Sequence, residues 1–203
     1  MIKIPNKEFW REQHEIGGYW LSNTKPIYIY DQHDIKNLIL YGNPINIMDV
    51  GIGNGDLIKE LVSYNHNVIA VDICENALNK VENIAKTYLV DNLSNITSNS
   101  IDLCICHLVF QHNNIEIINM MIREIYRILK VNGIFTFQIA FKLDSNIPLE
   151  DEYTNREIAG IEFIYTTDQI SNMIESYNII RDYELIIWKD GNIGWKFIKI
   201  QKE

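Results

Sequence analysis

Positively charged side chains are scarce in this sequence. Lys and Arg number 18 against 27 Asp and Glu, which leaves a formal charge of -9 over 203 residues. Binding to a phosphate backbone depends on clustered Lys and Arg side chains that displace counterions. The charge balance therefore argues against nucleic acid as a substrate or partner.

Cysteine and long apolar runs are also scarce. The three cysteines are Cys74, Cys104 and Cys106, and they lack the paired C-x-x-C spacing of a zinc site. We expect reduced cysteines in the core, and we predict no metal site. No apolar run approaches the roughly 20 residues of a membrane span, and the N-terminal residues lack the apolar run of a signal peptide. We therefore expect no membrane span and a cytoplasmic location.

Apolar residues with regular spacing are abundant. Hydrophobic residues make up 47% of the chain and aromatic residues 11%, which is typical of a folded protein, and the length fits one domain. Strand-like runs alternate with helix-like segments, which predicts an α/β fold with helices on both faces of a mostly parallel sheet. The predicted strands are 45–50, 67–71, a short run ending near 90, 101–106, 134–141, 183–188 and 194–200.

Turn and capping residues locate the helices. Asp31 and Gly42 bracket a helix that precedes the first strand. Thr166 and Gln169 have the spacing of a capping box at the start of the last helix. An Asp-Gly pair at 190–191 indicates a hairpin turn between the last two strands. Apolar residues three and four apart predict three further helices, at 57–62, at 77–85, and from 118 to Asn132-Gly133.

The most informative segment is a glycine-rich turn after the first predicted strand. Asp49 and Val50 lead into Gly51-x-Gly53-x-Gly55, and a helix follows. Glycines allow a ligand to approach the main chain closely, and the free N–H groups of a helix N-terminus attract a carboxylate. Such a turn is weak evidence by itself, because plain strand-to-helix connections also contain glycine.

A carboxylate at the end of the next strand strengthens this interpretation. Asp72 lies 17 residues after Gly55, where a ribose would lie beside the turn. Its alternative role is to cap the helix that follows Ile73. NAD-binding enzymes share this logic, but Asp56 stands where their G-x-G-x-x-G pattern has its third glycine. A negative charge there would repel a pyrophosphate, which favours an adenosyl ligand without phosphate.

The motif residues resemble those of class I S-adenosylmethionine-dependent methyltransferases over residues 45–141. The segment DVGIGNG at 49–55 resembles motif I of that family, and VIAVD at 68–72 resembles motif II. Residues 101–112 resemble its fourth strand and the turn after it. Residues 123–134 resemble its L-K-P-G-G helix exit, with Val131 and Asn132 in place of the proline and the first glycine. The resemblance implies a Rossmann-like sheet of seven strands with a C-terminal antiparallel hairpin.

The resemblance also implies a cofactor and its contacts. The cofactor would be S-adenosyl-L-methionine and the product S-adenosyl-L-homocysteine. The motif I glycines would contact the methionine portion, Asp72 the ribose, and Asp91 or Asn92 the adenine. The cofactor-binding residues expected from the resemblance are Asp49, Gly51, Gly53, Asn54, Gly55, Asp72, Ile73, Asp91, Asn92, His107 and Leu108.

The single domain of residues 1–203 is divided by these predictions into four parts. Residues 1–44 form an N-terminal helical lid, 45–141 the cofactor-binding core, 142–165 a substrate-side insertion, and 166–203 a C-terminal helix and hairpin. Trp10, Tyr19 and Trp20 are candidate substrate contacts, although ordinary packing would also explain these aromatics. His107 and His112 are candidate general bases, and the alternative is that they line the adenine pocket.

The predicted function is transfer of a methyl group to oxygen or nitrogen of a small-molecule acceptor. An in-line displacement from an activated methyl group depends mainly on positioning, so a general base is not essential. One alternative is a noncatalytic S-adenosylmethionine-binding module. Another is an NAD-dependent oxidoreductase, which Asp56 and the terminal hairpin disfavour. The acceptor and the oligomeric state stay open.

Overall fold

The computed structural model describes residues 7–16, 33–142, 163–188 and 193–203. Within these ranges the strands form one sheet in the order β3-β2-β1-β4-β5-β8-β7, with β6 beside β5. β8 runs antiparallel to both of its neighbours, β5 and β7, and the other pairings are parallel. The strands are β1 (Asn46–Val50), β2 (Asn67–Asp72), β3 (Lys86–Leu89), β4 (Ile101–Cys106), β5 (Leu129–Lys142), β6 (Tyr165–Thr166), β7 (Ile179–Trp188) and β8 (Ile193–Gln201).

Helices pack on both faces of this sheet. The described α-helices are α1 (Lys7–Ile16), α2 (His33–Tyr41), α3 (Asp56–Ser63), α4 (Glu75–Leu78), α5 (Ile115–Ile128) and α6 (Thr167–Ile174), and short 3₁₀ turns lie at Val90–Asn95 and Phe110–His112. The predicted architecture, a mostly parallel sheet with helices on both faces and an antiparallel pair of strands at the C-terminus, is confirmed. The sequence prediction missed β6, a two-residue strand beside β5.

Alternating residues of each strand face two separate cores. On β4, Leu103 and Ile105 pack into the core with α2, α3 and α4, whereas Cys104 and Cys106 pack into the core with α5 and α6. We call these the first-face core and the second-face core. All three cysteines are buried and free, as expected. Because the central strands are buried on both faces, their sequences read as nearly continuous apolar runs.

The longest helix ends earlier than the sequence predicted. α5 carries the predicted apolar stripe on one face. At its start the Asn114 side chain caps the helix by accepting a hydrogen bond from the Ile117 N–H at 3.0 Å. However, it ends at Ile128 rather than at Asn132-Gly133, because Leu129 already pairs with Ile101 in the sheet. The pairing resumes at Leu103 after a register shift, so 130–133 form an irregular part of β5 instead of a helix end.

Other boundaries also differ in detail. The helix predicted over 77–85 is regular only from Glu75 to Leu78, and turns continue to residue 84. The capping box of Thr166 and Gln169 is confirmed, with hydrogen bonds of 2.8 and 3.2 Å. The predicted cap Asp31 and the Asp-Gly turn at 190–191 lie outside the described residues.

Candidate functional site

The carboxyl ends of β1, β2, β4 and β5 meet at one edge of the sheet, which we call the carboxyl edge. β1 pairs with β2 on one side and with β4 on the other, so the chain order reverses at β1. In open α/β sheets ligands bind at such a reversal, beyond the carboxyl ends of the strands. The predicted glycine turn follows β1 directly, so it lies at this position.

The glycine turn depends on missing side chains for its own packing. Gly51, Gly53 and Gly55 all have positive φ angles, of 81°, 55° and 74°. The Gly51 N–H donates to the Val71 carbonyl at 2.8 Å, which ties the turn to β2. A Cβ at Gly51 would overlap the Val109 side chain, which follows β4. Gly51 therefore allows the segments after β1 and β4 to touch.

Two carboxyl groups are buried beside this turn. Asp49 and Asp72 are each only 5% exposed. Burial, reinforced by the neighbouring Asp72, raises the pKa of Asp49 to about 7. Burial also raises the pKa of Asp72 to about 6, against the lowering effect of backbone N–H groups, first that of Cys74 and then those of Gly53, Ile73 and Ile52. A cationic or hydroxyl-bearing ligand would stabilise the charged forms of this pair.

Asp72 binds the backbone just before α4, but it is not the N-cap residue of that helix. Its Oδ1 accepts a hydrogen bond from the Cys74 N–H at 2.9 Å. The residue at the N-cap position of α4 is Cys74, and it makes no side-chain cap bond. Asp72 thus holds the chain just before α4, and its contacts with the glycine turn join the ends of β1 and β2.

The other predicted cofactor contacts lie on the loops that follow β1, β3 and β4. Asn54 accepts a hydrogen bond from the Lys80 Nζ at 2.8 Å. Asp91 is half-buried and Asn92 is exposed in the 3₁₀ turn after β3, next to the end of β2. Leu108 has a φ of 60° in the turn after β4. These residues lie on the loops of one sheet edge, as the sequence predicted.

The two candidate histidines differ in their surroundings. Burial lowers the pKa of both His107 and His112 to about 4, so both imidazoles are neutral near pH 7. The ring of His107 lies 6.2 Å from that of Phe197, edge to face, and its Nε2 has no hydrogen-bond partner in the described part of the chain. The His112 ring contacts Trp10 at 4.6 Å. Neither group has the pKa near 7 that suits a general base.

Helix α1 lies across the carboxyl edge. Trp10 contacts His112 after β4, while Glu15 accepts a hydrogen bond from Asn76 in α4, after β2, at 3.5 Å. Since β2 and β4 flank β1, α1 crosses the end of β1. Trp10 therefore lies near the candidate site, and the other two predicted substrate contacts, Tyr19 and Trp20, lie outside the described residues.

Sequence reasoning missed Gln138. It lies in β5, it is completely buried, and neither its amide nitrogen nor its amide oxygen has a hydrogen-bond partner among the described residues. It was missed because one amide in an apolar strand is an ordinary sequence feature. The sequence carried no signal for it, because only the structure shows that this buried amide has no polar partner.

More buried polar atoms near this edge lack partners. Gln111 is 2% exposed, and its backbone oxygen accepts from the Phe163 N–H at 2.9 Å. The Tyr165 hydroxyl donates to the Asn113 carbonyl at 2.5 Å, so β6 holds the segment after β4 in place. The described residues with at least one unpartnered buried side-chain nitrogen or oxygen include His14, His107, Gln111, Asn113 and Gln138.

A groove of about 640 Å³ lies at the opposite edge of the sheet, at the amino ends of β1 to β3. Several of its polar side chains, those of Asn46, His66 and Asn67, are already paired. The His66 ring contacts the Ile45 N–H at 3.3 Å and the Ile39 carbonyl at 2.8 Å, and the Asn67 amide donates to the Asn46 side chain at 3.1 Å. The carboxyl edge is therefore the better candidate for a ligand site.

Metal-binding clusters and membrane-spanning helices are both absent from the part of the chain that the structure describes. They contain no group of three or more His, Cys, Asp or Glu side chains arranged to hold a metal ion. None of their helices combines the length and the apolar composition needed to cross a membrane.

Comparison with known families supports the sequence resemblance. The family model described as a methyltransferase domain matches residues 48–137, which include most of β1, the glycine turn, both buried aspartates and most of β5. Residues 48–137 are therefore similar to a methyltransferase domain, in agreement with the resemblance carried by the motif residues. No curated protein sequence matches the chain.

Solved structures share the fold of this chain at low sequence identity. The geranyl diphosphate C-methyltransferase of Streptomyces coelicolor A3(2) is 10% identical, with a TM-score of 0.67 over 100% of this chain and 87% of its own. The 1,6-didemethyltoxoflavin N1-methyltransferase of Burkholderia thailandensis is 13% identical, with a TM-score of 0.63 over 97% and 86%. The [4+2]-cyclase SpnF is 14% identical, with a TM-score of 0.64 over 85% and 80%. Since a cyclase shares it, the fold does not by itself identify a reaction.

Proposed function

We propose that this methyltransferase transfers a methyl group from S-adenosylmethionine to oxygen or nitrogen of a small-molecule acceptor bound at the carboxyl edge. The observation that carries the proposal is the pair of buried carboxyl groups, Asp49 and Asp72, beside a turn of three positive-φ glycines. Net charge supports a small molecule over nucleic acid, since the chain carries -9.

The residues present fit S-adenosylmethionine chemically. This cofactor carries an ammonium group, a sulfonium and a ribose, and it supplies an activated methyl group. Asp49, whose pKa burial raises to about 7, would pair with the ammonium group and become charged when it does so. Asp72 would accept hydrogen bonds from the ribose hydroxyls, and Asp91 or Asn92 would contact the adenine.

The protein contributes mainly position in this proposal. The turn after β4, with His107 and Leu108, would border the reacting centre, and α1 would cover it as part of the lid formed by 1–44. Aligning two reactants can contribute on the order of 7 to 11 kcal/mol, which exceeds the effect of a general base. Because burial lowers the pKa of His107 to about 4, its neutral imidazole would orient the acceptor rather than accept a proton from it as a general base.

Ligand-dependent thermal unfolding tests the cofactor assignment. S-adenosylmethionine and S-adenosylhomocysteine should raise the melting temperature, because they bind only the native state, and NAD should not. A shift with NAD and none with either sulfur ligand would contradict the proposal.

Turnover is tested separately, by measuring S-adenosylhomocysteine release with a panel of hydroxyl and amine metabolites. Release with at least one acceptor is expected. Binding of the cofactor without turnover across the panel would instead favour the noncatalytic binding module, an outcome that the shared fold of the cyclase SpnF keeps open.

A further inference from the structure

Gln138 stands out among the buried polar groups because both ends of its amide are unpartnered. Its side chain has no exposed area, and neither Nε2 nor Oε1 has a hydrogen-bond partner in the described part of the chain. A buried polar atom without a partner destabilises the folded state, so such groups require an explanation. A ligand that donates to the oxygen and accepts from the nitrogen would remove both penalties at once.

The position of Gln138 in β5 directs this amide toward the candidate site. Phe135, Phe137 and Ile139 belong to the second-face core, whereas Ile134 packs against the first-face core, so alternation places Gln138 on the first face. The last paired positions of β4 and β5 are Cys106 and Phe137. Gln138 is therefore one residue closer to the carboxyl edge than the end of β4.

Two aromatic residues of β8 lie on the same face of the sheet as Gln138. Phe197 of β8 lies directly opposite Gln138, and its ring meets that of His107 at 6.2 Å. Trp195 lies opposite Ala140, two residues further along the same face toward the carboxyl edge. Both aromatic residues are buried, at 1% and 2% exposure. Flat ring surfaces beside an amide match a flat ligand, since aromatic faces pack well on one another.

We propose that the Gln138 amide selects the methyl acceptor, and that the acceptor is a planar ring with an N–H beside a C=O, as in a lactam. The ring N–H would donate to Oε1, and the ring carbonyl would accept from Nε2, which gives two parallel hydrogen bonds. This inference rests on the proposed function, because it assigns the acceptor for the same methyl transfer. It goes beyond that function by naming a residue and a chemical class.

The expected selectivity follows from the buried, two-sided character of the amide. A site built to hydrogen-bond a ligand rejects an analogue that lacks the donor, because the polar group of the protein is then left unpaired. A matched pair of probes is 2-quinolone, which has the N–H beside the C=O, and N-methyl-2-quinolone, which has lost the donor. Binding of each probe is measured by calorimetry on the full chain saturated with S-adenosylhomocysteine.

The cofactor titration comes first and isolates the proposed function. If S-adenosylhomocysteine fails to bind, the proposed function is wrong, and the Gln138 proposal is overturned with it. If it binds, 2-quinolone should bind at least about tenfold more tightly than its N-methyl analogue. Equal affinity, or no binding of either probe, overturns the Gln138 proposal while leaving the cofactor assignment intact.

Two variants make the test independent of other contacts. Gln138→Met keeps the length of the side chain and removes both polar atoms, so it should abolish the preference between the two probes. S-adenosylhomocysteine affinity should stay within about twofold. The control Thr136→Val lies on the same strand and face, and it should keep the preference. A preference that survives in Gln138→Met contradicts the proposal.

Stability without ligand gives a second readout. Because Gln138→Met removes two unpaired polar atoms from the interior, the melting temperature of the ligand-free protein should rise by at least about 2 °C. A fall in melting temperature would mean that Gln138 has internal partners, and the amide would not be available to an acceptor. An unfolded variant would count in the same way.

Discussion

The carboxyl edge of the sheet and the opposite edge, which we call the amino edge, are both rich in polar residues. They differ in whether those residues have hydrogen-bond partners. At the amino edge, Asp102 accepts two hydrogen bonds of 2.8 Å from Lys130 and one of 2.9 Å from the Asn46 N–H. Arg127 donates to the carbonyls of Ile96 and Leu93 at 3.0 and 3.1 Å. These charged groups tie the start of β4 to its neighbouring strands, and they tie α5 to the segment between β3 and β4.

At the carboxyl edge, buried carboxyl groups have raised pKa values, and other buried polar groups lack hydrogen-bond partners among the described residues. Asp49 and Asp72 have pKa values raised by burial, and His107, Gln111 and Gln138 have unpartnered polar atoms. Each such group lowers the stability of the ligand-free fold. The difference teaches that one edge contributes stability, whereas the other gives up stability for ligand binding.

The largest effect is expected from Gly51→Ala. An Ala side chain would be strained at a φ of 81° and would overlap Val109. We expect S-adenosylhomocysteine affinity to fall at least about a hundredfold and the free energy of unfolding to fall by about 2 to 4 kcal/mol. Titration calorimetry and urea unfolding measure the two quantities.

The control for Gly51→Ala is the double variant with Val109→Ala. It removes the overlap but keeps the unfavourable φ, so it should recover part of the stability and little of the affinity. Wild-type affinity in Gly51→Ala alone would show that the glycine turn does not hold the cofactor.

The next largest effect is expected from Asp72→Ala. Loss of the proposed ribose hydrogen bonds should weaken S-adenosylhomocysteine binding by about ten- to several-hundredfold. Loss of the bonds from the Cys74 N–H and from the glycine turn should lower the free energy of unfolding by about 1 to 3 kcal/mol. Calorimetry and urea unfolding of the same variant separate the roles, and native affinity in Asp72→Ala would refute the ribose contact.

A smaller effect is expected from pH. The pKa of Asp49 is about 7 in the folded chain and 3.8 in the reference state, so the folded state holds the proton more tightly. Its contribution to stability is therefore full below about pH 4 and is lost as the pH rises through about 7. Cofactor affinity should change in the opposite direction, because the ammonium group favours the charged carboxylate.

Between pH 6 and pH 8 the affinity for S-adenosylmethionine should thus rise about tenfold, as calorimetry at several pH values can show. Asp49→Asn serves as the control, and it should flatten the pH dependence of both affinity and stability. An unchanged profile in Asp49→Asn would assign the titration to another group.

The smallest effect on function is expected from the amino edge. Asp102→Ala removes the ion pair with Lys130 and the hydrogen bond from the Asn46 N–H. The side chains of the ion pair are partly exposed, Asp102 at 29% and Lys130 at 39%. The free energy of unfolding should fall by about 1 to 2 kcal/mol, while S-adenosylhomocysteine affinity stays within about twofold. A large loss of affinity would end the distinction between the two edges.

Much of the candidate site was predictable because its signals are local. The turn has positive φ angles at Gly51, Gly53 and Gly55. Glycine is the residue that adopts such angles without strain, so the turn could be predicted from these residues alone. The capping box of Thr166 and Gln169 is equally local, because both partners lie within four residues. Asp72 could be placed from strand order alone, since parallel neighbours end at the same edge.

Other features depended on distant partners. The helix exit at Ile128 was wrong by several residues because Leu129 pairs with Ile101, which lies 28 positions earlier. No periodicity in the chain shows that pairing. The same holds for α1, whose position over β1 follows from contacts with residues in α4 and after β4.

By itself, the sequence determined the class of fold, the glycine turn and the acid at the end of β2, because each of these follows from residues within one strand-turn-helix unit. Tertiary structure alone decided which polar groups are left without partners. Gln138 is an unremarkable residue in its own strand, and it becomes a candidate contact only because it is completely buried beside β8, one residue beyond the end of β4. Burial and hydrogen-bond satisfaction depend on neighbours brought together from 107, 138 and 197, and no local pattern encodes that meeting.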